Sequence, residues 1–187
     1  MEIRINKTTL LALSLVVIGI GLRLIPHTAN FAPVGAIALF AGAILSWRIA
    51  LWLPLIIMVA SDLLLGLHDT ILFTWGGFTL VAVIGLLLRN RSNLMKIAAG
   101  APASALLFYI VSNFGVWVEG SLYPRTWQGL VDCYLLALPF LRTSLWADIS
   151  FAIVFFGLYT YAAPAFKGRL TLIATKRKDS APEPGHS

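Results

Sequence analysis

The sequence predicts an all-α integral membrane protein, a six-transmembrane-helix bundle with both termini in the cytoplasm. Three observations lead to this prediction: the composition, six apolar stretches, and the distribution of the basic residues. The 187 residues are 59% hydrophobic and only 12% charged, whereas soluble domains carry about 25% charged residues. Because a soluble fold of this length could not bury so much apolar surface, we expect a bilayer to be its solvent.

Six apolar stretches come close to the roughly 20 residues that a spanning helix needs. They are too apolar on all sides to be the alternating strands of a membrane barrel. The second stretch is the shortest and needs its flanking residues in order to span. In chain order the stretches are Thr8–Ile25, Val34–Trp47, Ile49–Leu67, Ile71–Leu88, Ile97–Val118 and Ser144–Phe166.

The basic residues alternate between the connections. The chain has 14 Lys and Arg residues, and all but Arg23, Arg125 and Arg142 lie in the two tails and in alternate connections. The positive-inside rule therefore puts both termini in the cytoplasm and requires an even number of spans. Pro26 and His27 follow the first stretch where a signal peptide would have a small-residue cleavage site, so we expect this stretch to be retained.

The connection Glu119–Thr143 and the C-terminal end differ from the other segments. Proline and glycine punctuate the connection, but Leu130–Phe140 is apolar. Irregular backbone at membrane depth must be covered by protein, so the pattern predicts a short external helix or a re-entrant lid between helices 5 and 6. Residues 1–170 are predicted to form the transmembrane domain. Residues 171–187, basic and then polar, are predicted to form a disordered cytoplasmic tail.

Four polar residues from four different stretches fall at similar depths. At 1.5 Å per residue, Arg23, Asp62, Asn113 and Asp148 lie roughly 3–8 Å below the outer surface. A charged side chain there costs about 2.5–3.5 kcal/mol, so such groups usually face a cavity or each other. The pattern predicts a water-accessible pocket open to the outside. The alternative is that Arg23 or Arg142 pairs with a carboxylate and only locks the bundle.

Aromatic residues collect on the same side, where Trp and Tyr also form the ordinary interfacial belt. Tyr109, Asn113 and Trp117 recur at helical spacing and share one helix face. An amide between two aromatic rings suits a flat, partly polar ligand. We therefore predict ligand contacts from two sets of residues. The pocket set is Asp62, Asn113, Trp117 and Asp148, with Arg23 and Arg142 balancing the acids or binding an anionic group. The rim and lid set is His27, Asn30, Trp75, Tyr123, Thr126 and Trp127.

Motifs of other protein classes are missing from the sequence. It has no Walker A sequence, so the chain does not drive transport with ATP by itself. It also has no G-x-S-x-G, H-E-x-x-H or GxGxxG, and no cofactor, metal or catalytic residue is predicted. His27, His68 and Asp69 could bind a divalent metal, but they lack the short spacing of a metal motif. The small-residue run Ala38-x-x-x-Gly42 fits either packing within the bundle or docking of another membrane protein.

Several motifs resemble known membrane families. Asn30-Phe31-Ala32-Pro33-Val34-Gly35 and Ser61-Asp62-Leu63-Leu64-Leu65-Gly66 resemble the substrate-binding S components of energy-coupling factor transporters. Another set looks like an uncharacterised bacterial membrane family of that superfamily. That set is Ser112-Asn113-Phe114-Gly115-Val116-Trp117, Tyr123-Pro124, Cys133-Tyr134 and Leu138-Pro139-Phe140.

The resemblance implies a six-helix protein of a bacterial inner membrane that captures a vitamin-like micronutrient in an outer pocket covered by a loop. It also implies a transmembrane coupling protein and ATPases as partners, besides a small-molecule substrate and membrane lipids. The chain departs from the class at helix 1, where Ala12 and Ser14 do not form the A-x-x-x-A docking pattern. A solitary importer therefore stays open.

Two other functions stay open at this point. One is a structural or assembly protein without a ligand, in which Arg–Asp pairs hold the helices together. The other is a membrane enzyme that uses Asp62 with Asp148, or His27, His68 and Asp69. A nucleic-acid partner is not expected, because the net charge of +6 comes from basic residues scattered by topology rather than clustered on one face.

Overall fold

The computed structural model describes residues 7–26, 28–89 and 94–179, and it describes side chains within 8–26, 28–89 and 100–161. Over these residues the chain forms seven α-helices and no strand, which confirms the all-α prediction. The helices are α1 (Lys7–Leu24), α2 (Val34–Ile44), α3 (Trp47–Leu65), α4 (Ile71–Leu88), α5 (Leu94–Glu119), α6 (Trp127–Leu136) and α7 (Leu138–Asp179).

Four helices are long and apolar enough to cross a membrane by length and composition. They are α3, α4, the Gly100–Glu119 part of α5 and the Leu138–Tyr161 part of α7. Two further apolar helices, α1 and α2, are shorter. This set of helices indicates a membrane protein.

The central helix of the bundle is α2. All nine residues from Val34 to Gly42 are buried, as expected for a helix that is apolar on every side. It contacts α1, α3, α4, α5 and α7. Its 11 residues extend about 16 Å, roughly half of a hydrocarbon core of about 30 Å. Burial among five helices, rather than length, therefore accounts for its apolar sequence.

The backbones of α2 and α4 approach each other closely at two glycines. A Cβ atom added to Gly42 would lie 2.8 Å from the Cα of Gly85, and one added to Gly85 would lie 2.9 Å from the Cα of Gly42. Two glycines facing each other thus let the helices touch, as small residues do in membrane bundles. Ala38 and Gly42 are both buried, so this small-residue run packs inside the bundle.

Several predicted helix ends differ from the structure, among them the end of α2 and the start of α7. The second helix stops at Ile44, before the predicted Trp47, because Leu45 has an extended backbone with ψ 164°. The last helix begins at Leu138, six residues before the predicted Ser144. Pro139 lies in its first turn, where a helix tolerates proline because no helical N–H bond is lost. A single turn at Ala137 separates α6 from α7.

The last helix also passes the predicted boundary between domain and tail. It runs to Asp179 without a break at position 170, so the division into residues 1–170 and 171–187 stays a prediction. Residues 180–187 of the predicted tail lie outside the described residues.

Candidate functional site

The predicted site residues that the structure describes lie at one end of the bundle, which we call the α6 end. Here α1, α3 and α5 finish, α2, α4 and α7 begin, and α6 lies between α5 and α7. Ring contacts tie these termini together: Phe31 lies 5.8 Å from Phe151, and Phe73 lies 6.0 Å from Phe114 between ring centroids.

A buried carboxylate joins three of the helices. The side chain of Asp62, in the last turn of α3, is 2% exposed. A guanidinium nitrogen of Arg23 lies 2.8 Å from its Oδ1, and the indole N–H of Trp75 donates to its Oδ2 at 2.8 Å. Arg23 also donates to the Ser61 hydroxyl at 2.6 Å. His68 Nε2 lies 3.9 Å from Oδ2. The charge of Asp62 is therefore matched within the bundle.

The chain forms this cluster by reversing direction after Asp62. The helix ends at Gly66, whose φ of 109° lies in the left-handed region that favours glycine. The Gly66 N–H donates to the Asp62 carbonyl at 2.9 Å. After a short connection α4 starts at Ile71, and Trp75 in its second turn points back to Asp62.

A second buried carboxylate joins α7 to α2. Asp148 is 5% exposed, and its side chain lies against Gly35, accepting a hydrogen bond from the backbone N–H of Ala36. The first N–H groups of a helix lack partners within the helix and carry positive partial charge. The N-cap residue, Pro33, has no side chain that accepts a hydrogen bond from these N–H groups. Asp148 thus caps α2 from a neighbouring helix, and the missing Gly35 side chain leaves room for it.

The polar face predicted on α5 contacts α6. The Tyr109 hydroxyl donates to the Tyr134 carbonyl at 2.5 Å, and the Tyr134 hydroxyl donates to the Ile110 carbonyl at 2.7 Å. The Cys133 thiol lies 3.4 Å from the Asn113 carbonyl. Burial raises the pKa of the Cys133 thiol and of the Tyr134 phenol above their ordinary values. These contacts fix α6 along α5.

The loop before α6 is held to the same helix. The Trp117 indole N–H donates to the Pro124 carbonyl at 3.1 Å. The Asn113 amide donates to the carbonyl of Tyr109 in its own helix at 2.8 Å. Thr126 is the N-cap of α6 and accepts from the Gly129 N–H at 3.1 Å, which is the usual role of a threonine at this position.

An open groove of about 790 Å³ lies at the α6 end, between the α1–α2 connection and the first turns of α7. Two aromatic rings, two hydroxyls and one guanidinium contribute to its walls. Arg142 is exposed and makes no ion pair with any residue that the structure describes. The lining residues are Thr28, Phe31, Leu138, Pro139, Arg142, Thr143 and Trp146.

The contacts divide the predicted site residues into three groups and a remainder. Arg23, Asp62 and Trp75 form the first group, Asp148 with α2 the second, and Asn113 and Trp117 with the α6 region the third. Arg142 alone of the predicted residues that the structure describes lines the groove. The remaining predicted residues are Asn30, in a turn with φ 62°, Tyr123, partly buried, Thr126, the cap of α6, and Trp127, 77% exposed.

His27, the last predicted rim residue, lies outside the described residues. Among those described, no group of three or more His, Cys, Asp or Glu residues is arranged to hold a metal ion.

Sequence reasoning missed Thr28, Phe31, Thr143 and Trp146 as groove residues. Arg142 and Trp146 are four residues apart, which places them on one helix face. The sequence predicts that the last helix begins at Ser144, which leaves Arg142 outside the helix. The spacing of these two residues therefore did not indicate a shared face. Its true start at Leu138 brings both side chains to the groove.

Residues 3–170 match the model of a family described as a family of unknown function, DUF6580. The chain belongs to the DUF6580 family. The match includes every described residue of the Asp62 cluster and of the groove. No curated protein matches the chain, and no solved structure matches it. The prediction of an uncharacterised family is confirmed by this match, while the resemblance to S components stays a prediction.

Proposed function

We propose that the chain is a substrate-binding membrane subunit for uptake of a small, ring-containing, vitamin-like micronutrient. The observation that carries the proposal is the groove at the α6 end. Here Arg142, which has no ion-pair partner among the described residues, lies with the rings of Phe31 and Trp146. A flat ring can pack against the aromatic walls, and a carboxylate or phosphate group on it can pair with the guanidinium. The volume of about 790 Å³ is within the range usual for small-molecule sites.

The proposed topology has six spans, which include α1 and also α2 together with its flanking residues. Both termini are in the cytoplasm, and the α6 end faces outward. Arg48 and Arg89 support it, because they flank helix ends opposite the α6 end, where the positive-inside rule expects basic residues. The external helix or lid of the proposal is α6, which leads directly into the groove residues Leu138 and Pro139. The membrane proposed is the bacterial inner membrane.

In this proposal the buried carboxylates position the groove walls. Asp62 holds Arg23, which lies five residues before Thr28 in the first wall of the groove. Asp148 lies on α7 just after Trp146 and ties that second wall to α2. Asn113 and Trp117 hold α6 and the loop that precedes it. Substrate specificity then depends on these groups through the shape of the groove.

The partners in this proposal follow the sequence resemblance to S components. They are a transmembrane coupling protein and ATPases, since the chain has no Walker A sequence of its own. The alternative within the same function is a solitary importer.

Ligand binding to purified protein tests the proposal. We expect one member of a panel of vitamins and related ring-bearing acids to raise the unfolding temperature of the wild type. Arg142→Gln should weaken binding of that compound about tenfold or more, because a charge-assisted hydrogen bond is lost. Arg125→Gln, with the same change of charge in the loop before α6, is the matched control and should bind as the wild type does.

Whole-cell uptake of the same labelled compound completes the test. Uptake should depend on the gene and fall with Trp146→Ala. The assignment of this groove is overturned if no compound of the panel binds. It is also overturned if a compound binds Arg142→Gln and the wild type with the same affinity.

A structural or assembly protein is the second candidate, because Asp62, on α3, already has partners on α1 and α4. In that case Asp62→Asn lowers stability and no compound of the panel restores it. Rescue of the Asp62→Asn variant by a ligand favours the uptake function instead.

A further inference from the structure

A second groove lies between α1 and α3, near the opposite end of the bundle. Its volume is about 330 Å³. Seven apolar side chains form most of its walls, three from α1 and four from α3. From Arg48 to Ile56 the groove extends about 12 Å along α3 at 1.5 Å per residue. The lining residues are Thr9, Ala12, Leu13, Val16, Arg48, Ile49, Trp52, Leu53 and Ile56.

This groove is open toward the surroundings of the bundle. Leu13 is 50% exposed, Trp52 64% and Ile56 50%. Since α3 is long and apolar enough to cross a membrane, we expect these side chains to face hydrocarbon. A long, open and apolar groove of this kind suits an acyl chain better than a polar solute.

Among the lining residues that the structure describes, Arg48 alone is charged, and it lies at one end of the groove. Its guanidinium carbon lies 5.2 Å from the ring centroid of Trp47, which holds the cation beside an exposed aromatic ring. Arg48 makes no ion pair with a residue that the structure describes. Tryptophan beside a basic residue at a helix end is typical of the headgroup level of a bilayer.

We infer that this groove binds one anionic phospholipid, with an acyl chain between α1 and α3 and the phosphate at Arg48. A second copy of the chain fits the groove less well. In a two-fold dimer the same patches face each other, so the groove would meet a groove and Arg48 would approach its own copy. An anionic lipid instead supplies both the apolar chain and the opposite charge.

Native mass spectrometry in a neutral detergent tests this inference. Phosphatidylglycerol and phosphatidylcholine with identical acyl chains are added in equal amounts. We expect the wild type to retain one phosphatidylglycerol with a preference of about fivefold, the contribution of one basic residue near an anionic headgroup. Arg48→Gln should remove the preference, whereas Arg125→Gln, at the α6 end, should keep it.

A second variant tests the acyl-chain part of the groove. Ala12→Phe places a ring in the groove. We expect this variant to lose the retained lipid but still to show the cooperative thermal unfolding of a folded protein. Equal retention of the two lipids by the wild type overturns the inference, and so does an equal loss of preference in Arg48→Gln and Arg125→Gln. A lipid-free dimer that Ala12→Phe separates would assign the groove to a second copy of the chain.

Discussion

The guanidinium of Arg23, in the last turn of α1, lies 2.8 Å from the carboxylate of Asp62, in the last turn of α3. The two residues are far apart in the sequence. Because the Asp62 side chain is 2% exposed, water cannot replace Arg23 as its partner. This pair, with Trp75, therefore fixes where three helices meet.

Removing one member of the pair should destabilise the protein. We expect Asp62→Asn to lower the free energy of unfolding by about 3 kcal/mol, because Arg23 then keeps a charge without its partner in a mostly buried place. Thermal unfolding in detergent micelles measures the change. Asp69→Asn is the matched control, since Asp69 is exposed and has no ion pair with a described residue. A stability loss equal in both variants would contradict a special role for Asp62.

The contact between α2 and α4 should depend on the absence of a side chain at Gly85. Gly85→Ala puts a methyl group against the backbone of Gly42, and we expect a loss of about 1–3 kcal/mol because the helices must move apart. Gly76→Ala changes another glycine of the same helix, where an added Cβ meets nothing within 4 Å. It should be neutral or slightly stabilising, since alanine favours a helix. If both variants unfold at the same temperature, the close approach of α2 and α4 is wrong.

The hydrogen bonds between α5 and α6 should contribute measurably to stability. Tyr134→Phe keeps the ring but leaves the Ile110 carbonyl without the hydroxyl donor, so we expect a loss of about 1 kcal/mol. Tyr161→Phe is the control, because Tyr161 is 87% exposed. Combining Tyr134→Phe with Tyr109→Phe in a double-mutant cycle measures the coupling of the two bonds. Full additivity would mean that they act independently.

Cys133 should react slowly with alkylating reagents while α6 is packed. Burial raises the pKa of its thiol, so between the ordinary and the raised pKa the folded state keeps the proton that the unfolded state has lost. The reactive thiolate is therefore scarcer in the folded protein, and stability should fall as the pH rises through this window. Iodoacetamide labelling followed by mass spectrometry compares folded and denatured protein. Equal labelling rates would show that α6 leaves Cys133 accessible.

Much of the secondary structure could be predicted because the apolar stretches are long and their ends are marked. The fourth helix was predicted with its observed bounds, Ile71–Leu88. The sequence pattern misses the start of the last helix, because Pro139 is as typical of a loop as it is of a first helical turn. A one-dimensional pattern does not distinguish these two positions.

The site could be predicted only in part. Depth counting brought Arg23 and Asp62 to the same end of the bundle, and the alternative that they pair agrees with the observed contact. It also grouped Asn113 and Asp148 with them, although their contacts are with α6 and α2. Depth along a helix says nothing about the direction in which a side chain points, and direction decides its partners.

Composition and periodicity by themselves determined that this chain is helical and suited to the apolar interior of a membrane. Both properties are sums over many residues, so an unusual residue at one position changes them little. Only the tertiary structure decided which polar groups satisfy each other and which stay free. Asp62 and Asp148 have partners inside the bundle, while Arg142 and Arg48 each lie beside a groove without a carboxylate that the structure describes. That difference depends on distances of a few ångströms between residues remote in the chain, which no local sequence pattern records.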